Sequence, residues 1–488
     1  MMNSTNMNFY INRLLEVQTN FLFFSFAQIV LVVVGIIKIP LYTHLFQPSE
    51  IGQYSWAVAF ISYIDIIFLG WVNSTLWRFV YTIKKTDSFL SLVAHIMPIF
   101  LIVSVIAISI TFIFLNLAIL DPIIKRLIFI GFFSILSQQI LAIIFFYFHA
   151  YKQFKKWSII IIFQQICTLI LFLILHLFFN FGIFSIFLSS LLLNTSIILT
   201  FLLRYFSLLK AVIKKIKISF KGTYFKYSSL SIIISLCLLI LNNGDRFLIF
   251  HLKNENDLGL YSQYYGLASV GFFSAVQAFN TYFGPNYNSA LIKSDSSPTN
   301  LSVVELYILI FTPFVIFLII NNETLISFLF NKNFYGYNSV FIWALIGFYV
   351  YGIYNLLEVR MKFLNQINKV MSALIFISLL NIVANYIFLS VFEFKISSTI
   401  SFLSYLILLL IAIGNNYTFI KELKLKKVIL GIIIASGIYY LLHLFLVQNL
   451  VSFSTLGYLT ISTILALLIY YFVLYKIFFQ LLNSIDMK

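Results

Sequence analysis

Apolar runs of about twenty residues recur from residue 19 to residue 480, and the longest connection between them is the polar stretch 204–225. A bilayer crossing needs roughly 20 mostly apolar residues. Lipid offers no partner for a free backbone amide, so such runs are predicted to cross as helices that satisfy their own N–H and C=O groups. Fourteen are predicted, near 19–45, 54–77, 88–119, 127–150, 157–179, 183–203, 226–250, 261–287, 301–321, 338–360, 370–391, 396–420, 427–448 and 455–480. The third is overlong and carries Pro98, and Asn180-Phe181-Gly182 is the thinnest of the breaks. With 62% hydrophobic and 9% charged residues, against about 25% charged in soluble domains, the expected class is an all-α integral membrane protein.

The formal charge of +16 does not indicate a nucleic-acid partner, because the basic residues fall between apolar runs and not on one face. Cys167 and Cys237 lie inside apolar runs, with no disulfide or metal spacing. The first run is too long for a signal-peptide core, so no cleaved targeting segment is expected. Counting Lys and Arg in alternate loops gives 24 on one side and five (Lys125, Arg126, Lys253, Lys332, Lys395) on the other, with Lys38 and Arg246 inside spans. The positive-inside bias then places both termini in the cytoplasm. The connection 204–225, with Arg204, Lys210, Lys214, Lys215, Lys217 and Lys221, reads as a basic cytoplasmic linker lying as a surface helix on anionic membrane lipid.

A short stretch occurs twice. HLFQPSEIGQYS (44–55) and HLKNENDLGLYS (251–262) align without a gap at an offset of 207, matching His, Leu, Gly, Tyr and Ser. Both copies follow an odd-numbered span, with six helices between them. Two equally oriented halves are therefore expected, related as a parallel pseudo-two-fold repeat. The expected bundles are 1–203 and 226–420, joined by the linker and followed by two additional helices within 427–480.

Ionisable residues inside spans are expensive and mark function or specific pairing. Lys38 is either a snorkelling lysine or a cation facing a cavity. At offset 207 it aligns with Asp245, next to Arg246, so both halves carry charge at the same depth of their first helix. Asp65 sits near the middle of the second helix and is the leading candidate for ion coupling or a cation partner. Arg78, Arg360 and Glu358 fall at cytoplasmic helix ends, as anchors or as a cationic mouth. Glu305 is expected in the first turn of its helix, as a dipole partner. The eighth helix carries Tyr264, Tyr265, Gln277 and Asn280, polar aromatic and amide groups suited to a sugar-lined cavity, or to close packing around its glycines. There is no phosphate-binding Gly-rich loop, no His-Glu-x-x-His and no metal-spaced cluster, so neither a cofactor nor a metal is expected.

The segments KIPLYTHLFQPSEIGQYS and FLGWVNSTLWRF resemble the openings of bacterial polysaccharide transporters, the O-antigen and lipid-linked oligosaccharide flippases. GDRFLIFHLKNENDLGLYS is similar to the start of their second half. The resemblance implies a non-enzymatic flippase of the inner membrane that moves a polyprenyl-diphosphate-linked oligosaccharide outward by alternating access, coupled to H+ or Na+. It also implies polymerase and chain-length proteins as partners. In that scheme Lys38, Arg246 and Arg78 meet the head group, and Asp65 and Asp245 serve coupling. The alternatives are a lipid II-type flippase, a multidrug or cation antiporter of the same fold, and a membrane glycan polymerase. The antiporter would want an anionic cavity, and the polymerase a large outer loop.

Overall fold

The computed structural model describes residues 4–80, 86–151, 153–216, 222–273, 298–423, 425–449 and 455–484, with eight further positions between 275 and 291. For some of these, including 4–22, 77–80 and 222–229, only the backbone is described. Lys217 and Lys221 of the expected linker lie outside the described residues.

Among the described residues the regular structure is entirely helical. The elements are α1 (Ser4–Leu45), α2 (Pro48–Ile64), α3 (Gly70–Val80), α4 (Thr86–Leu117), α5 (Pro122–Ala150), α6 (Phe154–Leu177), α7 (Ser185–Arg204), α8 (Phe206–Lys214) and α9 (Gly222–Leu252). There follow α10 (Glu255–Ala268), α11 (Pro298–Ile320), α12 (Asn322–Leu329), α13 (Asn338–Phe363), α14 (Ile367–Val391), α15 (Ile396–Asn415), α16 (Tyr417–Glu422), α17 (Leu425–Asn449) and α18 (Thr455–Ser484). Among the described residues, thirteen stretches are long and apolar enough to cross a membrane. The fourteenth expected span, the eighth, begins at α10 and runs into residues that are only partly described.

Short polar signals set the boundaries. The thin break between the fifth and sixth spans is real: Asn180 (φ 55°) and Gly182 (φ 53°) both adopt left-handed backbone, which ends α6 and redirects the chain into α7. Pro98 lies inside α4, which runs unbroken from Thr86 to Leu117. Many serine and threonine hydroxyls inside the spans donate to the carbonyl one turn back, as Thr75 does to Trp71 (2.7 Å) and Thr168 to Gln164 (2.7 Å), which keeps those protons from facing lipid unpaired.

The duplicated turn folds the same way twice. α1 ends at Leu45 and α9 at Leu252, while α2 starts at Pro48 and α10 at Glu255, each pair 207 residues apart. The two helix starts are made by different chemistry. The first copy uses Pro48, whose missing N–H is no loss in a first turn. The second uses Asn254, whose side chain accepts the Asp257 N–H at 2.8 Å. The first helix after each turn then passes into a π-helical turn, Asp65–Leu69 in one and Ser269–Phe273 in the other.

The chain divides into two compact units, one of residues up to Lys38 with Glu50–Phe247, the other of Ile39–Ser49 with the chain from Leu248 onward. In the first unit α5 packs against α6 and α7, around a core of Ala27, Leu141, Phe148, Trp157, Ile161 and Ile198. Gly131 on α5 lets that helix approach its neighbours, because a Cβ there would lie 2.4 Å from Ile61 Cδ1 and 2.9 Å from the Phe187 ring. In the second unit α13 and α15 pack most extensively, and the two C-terminal helices α17 and α18 dock on α11. A buried triad secures that docking: Asn321 Nδ2 donates to Tyr439 Oη (2.6 Å), Ser462 Oγ to Asn321 Oδ1 (2.9 Å), and Tyr439 and Ser462 share a 2.7 Å bond. Gly352 on α13 makes room for the Tyr307 hydroxyl, which a Cβ would meet at 1.9 Å. Replacing Gly131 or Gly352 with Val is expected to cost about 1–3 kcal/mol through overpacking. The measurement is a lowered thermal midpoint of the purified, detergent-solubilised protein against Gly437→Val, a position where a Cβ meets nothing within 4 Å.

Candidate functional site

Asp65 opens the π-helical turn between α2 and α3. A π turn adds one residue to the helical repeat and re-aims the side chains beyond it, a device common at functional sites. The carboxylate is half-buried and its partner is neutral: Gln139 Nε2 on α5 donates to Asp65 Oδ1 at 2.6 Å. Asn73 Nδ2, on α3, donates in turn to Gln139 Oε1 at 2.7 Å. Gln139 thus gives its N–H to the carboxylate and takes one from the amide, which fixes its orientation.

The preceding residue faces another way. Gln138 Oε1 accepts from Gln164 Nε2 on α6 (3.1 Å) and from Asn194 Nδ2 on α7 (3.0 Å), and Gln164 also donates to Asn194 Oδ1 at 2.8 Å. Adjacent glutamines on α5 therefore anchor two amide clusters, one toward α2–α3 and one toward α6–α7. Sequence reasoning missed Gln138, Gln139, Gln164 and Asn194. The available signal was the same one used for the eighth helix, namely amides at mid-span depth.

Asp245 and Arg246 lie on the part of α9 that belongs to the first unit. Asp245 is buried, 1% exposed. Arg246 acts electrostatically on Tyr54 and Tyr63, and Asp245 acts on Tyr63 as well, so both charges lie beside these phenols of α2. Phe247 packs against Trp56 at 5.5 Å and Tyr63 at 5.4 Å and fixes this face of α9. The Arg246 Nε is buried and has no hydrogen-bond acceptor among the described residues. Lys38 is half-buried and makes no ion pair or hydrogen bond among the described residues. Asp65 bonds Gln139, so Lys38 and Asp65 are not partners of each other.

Several expectations need correction. Tyr264 does not face a wet wall: it is fully buried, donates to the Phe334 carbonyl at 2.6 Å and packs edge-on to Phe330. Tyr265 is 2% exposed and packs against Tyr261 and Phe348. Burial of large rings drives both into the core of the second unit. Asn280 is half-buried, and Gln277 lies outside the described residues. The Arg78 side chain also lies outside them, although its backbone continues α3. Arg360 is neither an interfacial anchor nor part of an open mouth. It is 3% exposed, donates to Asn416 Oδ1 and lies 4.6 Å from the Phe419 ring centre. Glu358 is equally buried and pairs with Lys362 at 2.7 Å. Glu305 is not in a first turn, because α11 starts at Pro298, and it is buried at 5% exposure.

The second unit holds an amide-hydroxyl cluster that the sequence reading did not single out. Asn381 Nδ2 donates to Ser404 Oγ (2.8 Å), and Asn385 Nδ2 to Asn381 Oδ1 (3.1 Å). Asn385 Oδ1, Ser397 Oγ and Ser401 Oγ are buried with no hydrogen-bond partner among the described residues. These are neutral, hard oxygens, able to hold water or a small cation. No cluster of His, Cys, Asp or Glu suited to a metal occurs among the described residues.

No family model and no curated protein matches this sequence. Solved structures do match its fold. A lipid II flippase MurJ in an inward closed conformation aligns at 18% identity and TM-score 0.66, covering 94% of this chain and 99% of that one. An inward-facing multidrug resistance MATE transporter of the MOP superfamily aligns at 13% identity and TM-score 0.54, covering 82% of this chain and 99% of that one. A MATE structure in a straight conformation aligns at 13% identity and TM-score 0.51, covering 84% and 96%. The chain therefore has the multi-pass fold of these membrane transporters.

The amide chain around Asp65 predicts non-additive mutations. Gln139→Leu strands both the Asp65 carboxylate and Asn73 and is expected to cost about 1–3 kcal/mol, whereas adding Asp65→Leu and Asn73→Leu recovers part of that loss. Thermal midpoints of the single, double and triple variants provide the check.

Proposed function

We propose that this chain is a flippase that carries polyprenyl-diphosphate-linked oligosaccharide repeat units, such as O-antigen or capsule precursors, from the cytoplasmic to the outer face of the inner membrane. The observation that carries this reading is a pair of span cations without protein counter-ions. Arg246 has a buried Nε with no acceptor, and Lys38 has no polar partner among the described residues. A cation held in a span without a counter-ion is costly unless an anion arrives, and a diphosphate supplies one through charge-assisted hydrogen bonds. Arg78, at the end of α3, is the third cation assigned to the head group, as an entry contact. The bundles 1–203 and 226–420 move in alternating access, with both termini cytoplasmic.

Coupling is assigned to Asp65, with Asp245 as a second carboxylate. A neutral amide partner suits a switch, because Gln139 can remain bonded to Asp65 whether the carboxyl is ionised, protonated or bound to sodium. A strong ion pair would lock the group in one state.

The likeness to the MurJ structure supports a second reading, a lipid II-type flippase. It covers 94% of this chain against 82% for the inward-facing MATE structure, a difference of about the size of the α17–α18 pair. Both readings share a lipid-linked glycan cargo. Against the antiporter alternative stands the sign of the charges, since cations in spans repel cationic drugs.

Deleting the gene is expected to trap lipid-linked repeat units on the cytoplasmic face and to remove the surface glycan. Lys38→Ala and Arg246→Ala should each lower export by about tenfold or more at normal protein level, the equivalent of losing one charge-assisted contact. Asp65→Asn should slow export and abolish its dependence on the ion gradient. Normal surface glycan in the deletion strain would sink the first reading. Rescue of a strain depleted of its lipid II flippase would favour the second.

A further inference from the structure

The first unit carries a groove of about 620 Å³ between α5, α6 and α7. Its walls are apolar, including Ile159, Phe163, Ile197 and Phe201, and its rim holds Lys156 at the start of α6 and Arg204 at the end of α7. The charge bias of the loops assigns this end to the cytoplasm. Neither cation has an ion-pair or hydrogen-bond partner among the described residues, while the neighbouring Lys155 is engaged over the Phe23 ring at 5.2 Å. Residues 122–244 contain twelve Lys and Arg and not one Asp or Glu, so α5, α6 and α7 bring no carboxylate of their own to neutralise the rim. The chain leaves the groove directly into α8, which continues the positive surface with Lys210 and Lys214.

We propose that this groove is a binding site for an anionic glycerophospholipid. The phosphate sits between Lys156 and Arg204, and one acyl chain lies along Ile159, Phe163, Ile197 and Phe201. The hydroxyls in the groove argue for a phospholipid over a glycan carrier. Ser196 donates to Leu192 O at 2.7 Å and Thr200 to Ser196 O at 2.8 Å, so their protons are already committed and, apart from Lys156, Arg204 and Tyr205, the slot offers sugar hydroxyls no side-chain donor. What remains is positive charge above an apolar slot, the pattern by which basic pockets between spans hold acidic head groups. The site does not depend on the cargo assigned above, since none of the residues assigned to cargo or coupling lines it.

The test is native mass spectrometry of the full-length protein, exchanged from nanodiscs containing equal amounts of phosphatidylglycerol and phosphatidylcholine. The wild type is expected to retain phosphatidylglycerol preferentially, and Lys156→Gln/Arg204→Gln to lower that retention roughly tenfold. Lys210→Gln/Lys214→Gln, which removes two charges outside the groove, should have a much smaller effect. Ile197→Trp, which keeps both charges and fills the slot, should also reduce retention. The proposal is overturned by equal retention of the two lipids, by wild-type retention in Lys156→Gln/Arg204→Gln, or by displacement of phosphatidylglycerol by an equal amount of a polyprenyl phosphate.

Discussion

A carboxylate inside a membrane span must be met by something polar, and in this protein a neutral amide meets it. The 2.6 Å bond from Gln139 to Asp65 determines much of what surrounds it. It requires α5 to approach the junction of α2 and α3, and Gly131, about two turns earlier on α5, lets that helix come close to Ile61 of α2. It requires the Gln139 carbonyl to find a donor of its own, which Asn73 provides across the π-helical turn. An ion pair would have been stronger in Coulombic terms, but burying two charges carries a desolvation cost that often exceeds the attraction. Amides avoid that cost and leave the carboxyl free to change state.

The two copies of the turn reach one geometry by different local means. The helix ends before the duplicated turns and the helix starts after them are in register at 207 residues, although one start is made by Pro48 and the other by the Asn254 cap. Chain geometry at the turn is retained while the capping chemistry varies. The charges diverge further, since Lys38, seven residues before the end of α1, aligns with Asp245, seven before the end of α9. The two turns are therefore alike in chain path and not in charge.

Much of the fold was legible because lipid imposes a simple rule on sequence. Hydropathy located the spans and the Asn180–Gly182 break, and residue identities at an offset of 207 located the duplicated turn; all depend on local composition or on backbone conformations open to few residue types. The candidate site was legible only where it carried charge. Lys38, Asp65 and Arg246 stood out because an ionisable group in a span is rare. Gln138, Gln139, Gln164 and Asn194 did not, since an amide costs less to bury and its partners lie 26 to 74 residues away. Tyr264, Tyr265 and Arg360 were misjudged for a related reason. Composition identifies polar tips in a span but not whether they turn toward water or toward a carbonyl such as that of Phe334 or an amide such as Asn416.

The sign of the uncompensated charge is what supports the anionic cargo proposed above. The buried carboxylate Glu358 has a lysine partner and Asp65 an amide donor, whereas the span cations Lys38 and Arg246 lack counter-ions among the described residues. The same imbalance runs through residues 122–244, where positive charge has no acidic residue to answer it. The open positive groups at Lys38, Arg246 and along residues 122–244 give those regions an electrostatic preference for anions. That preference favours a phosphate over a cationic ligand, both at the span cations and along the basic residues of 122–244.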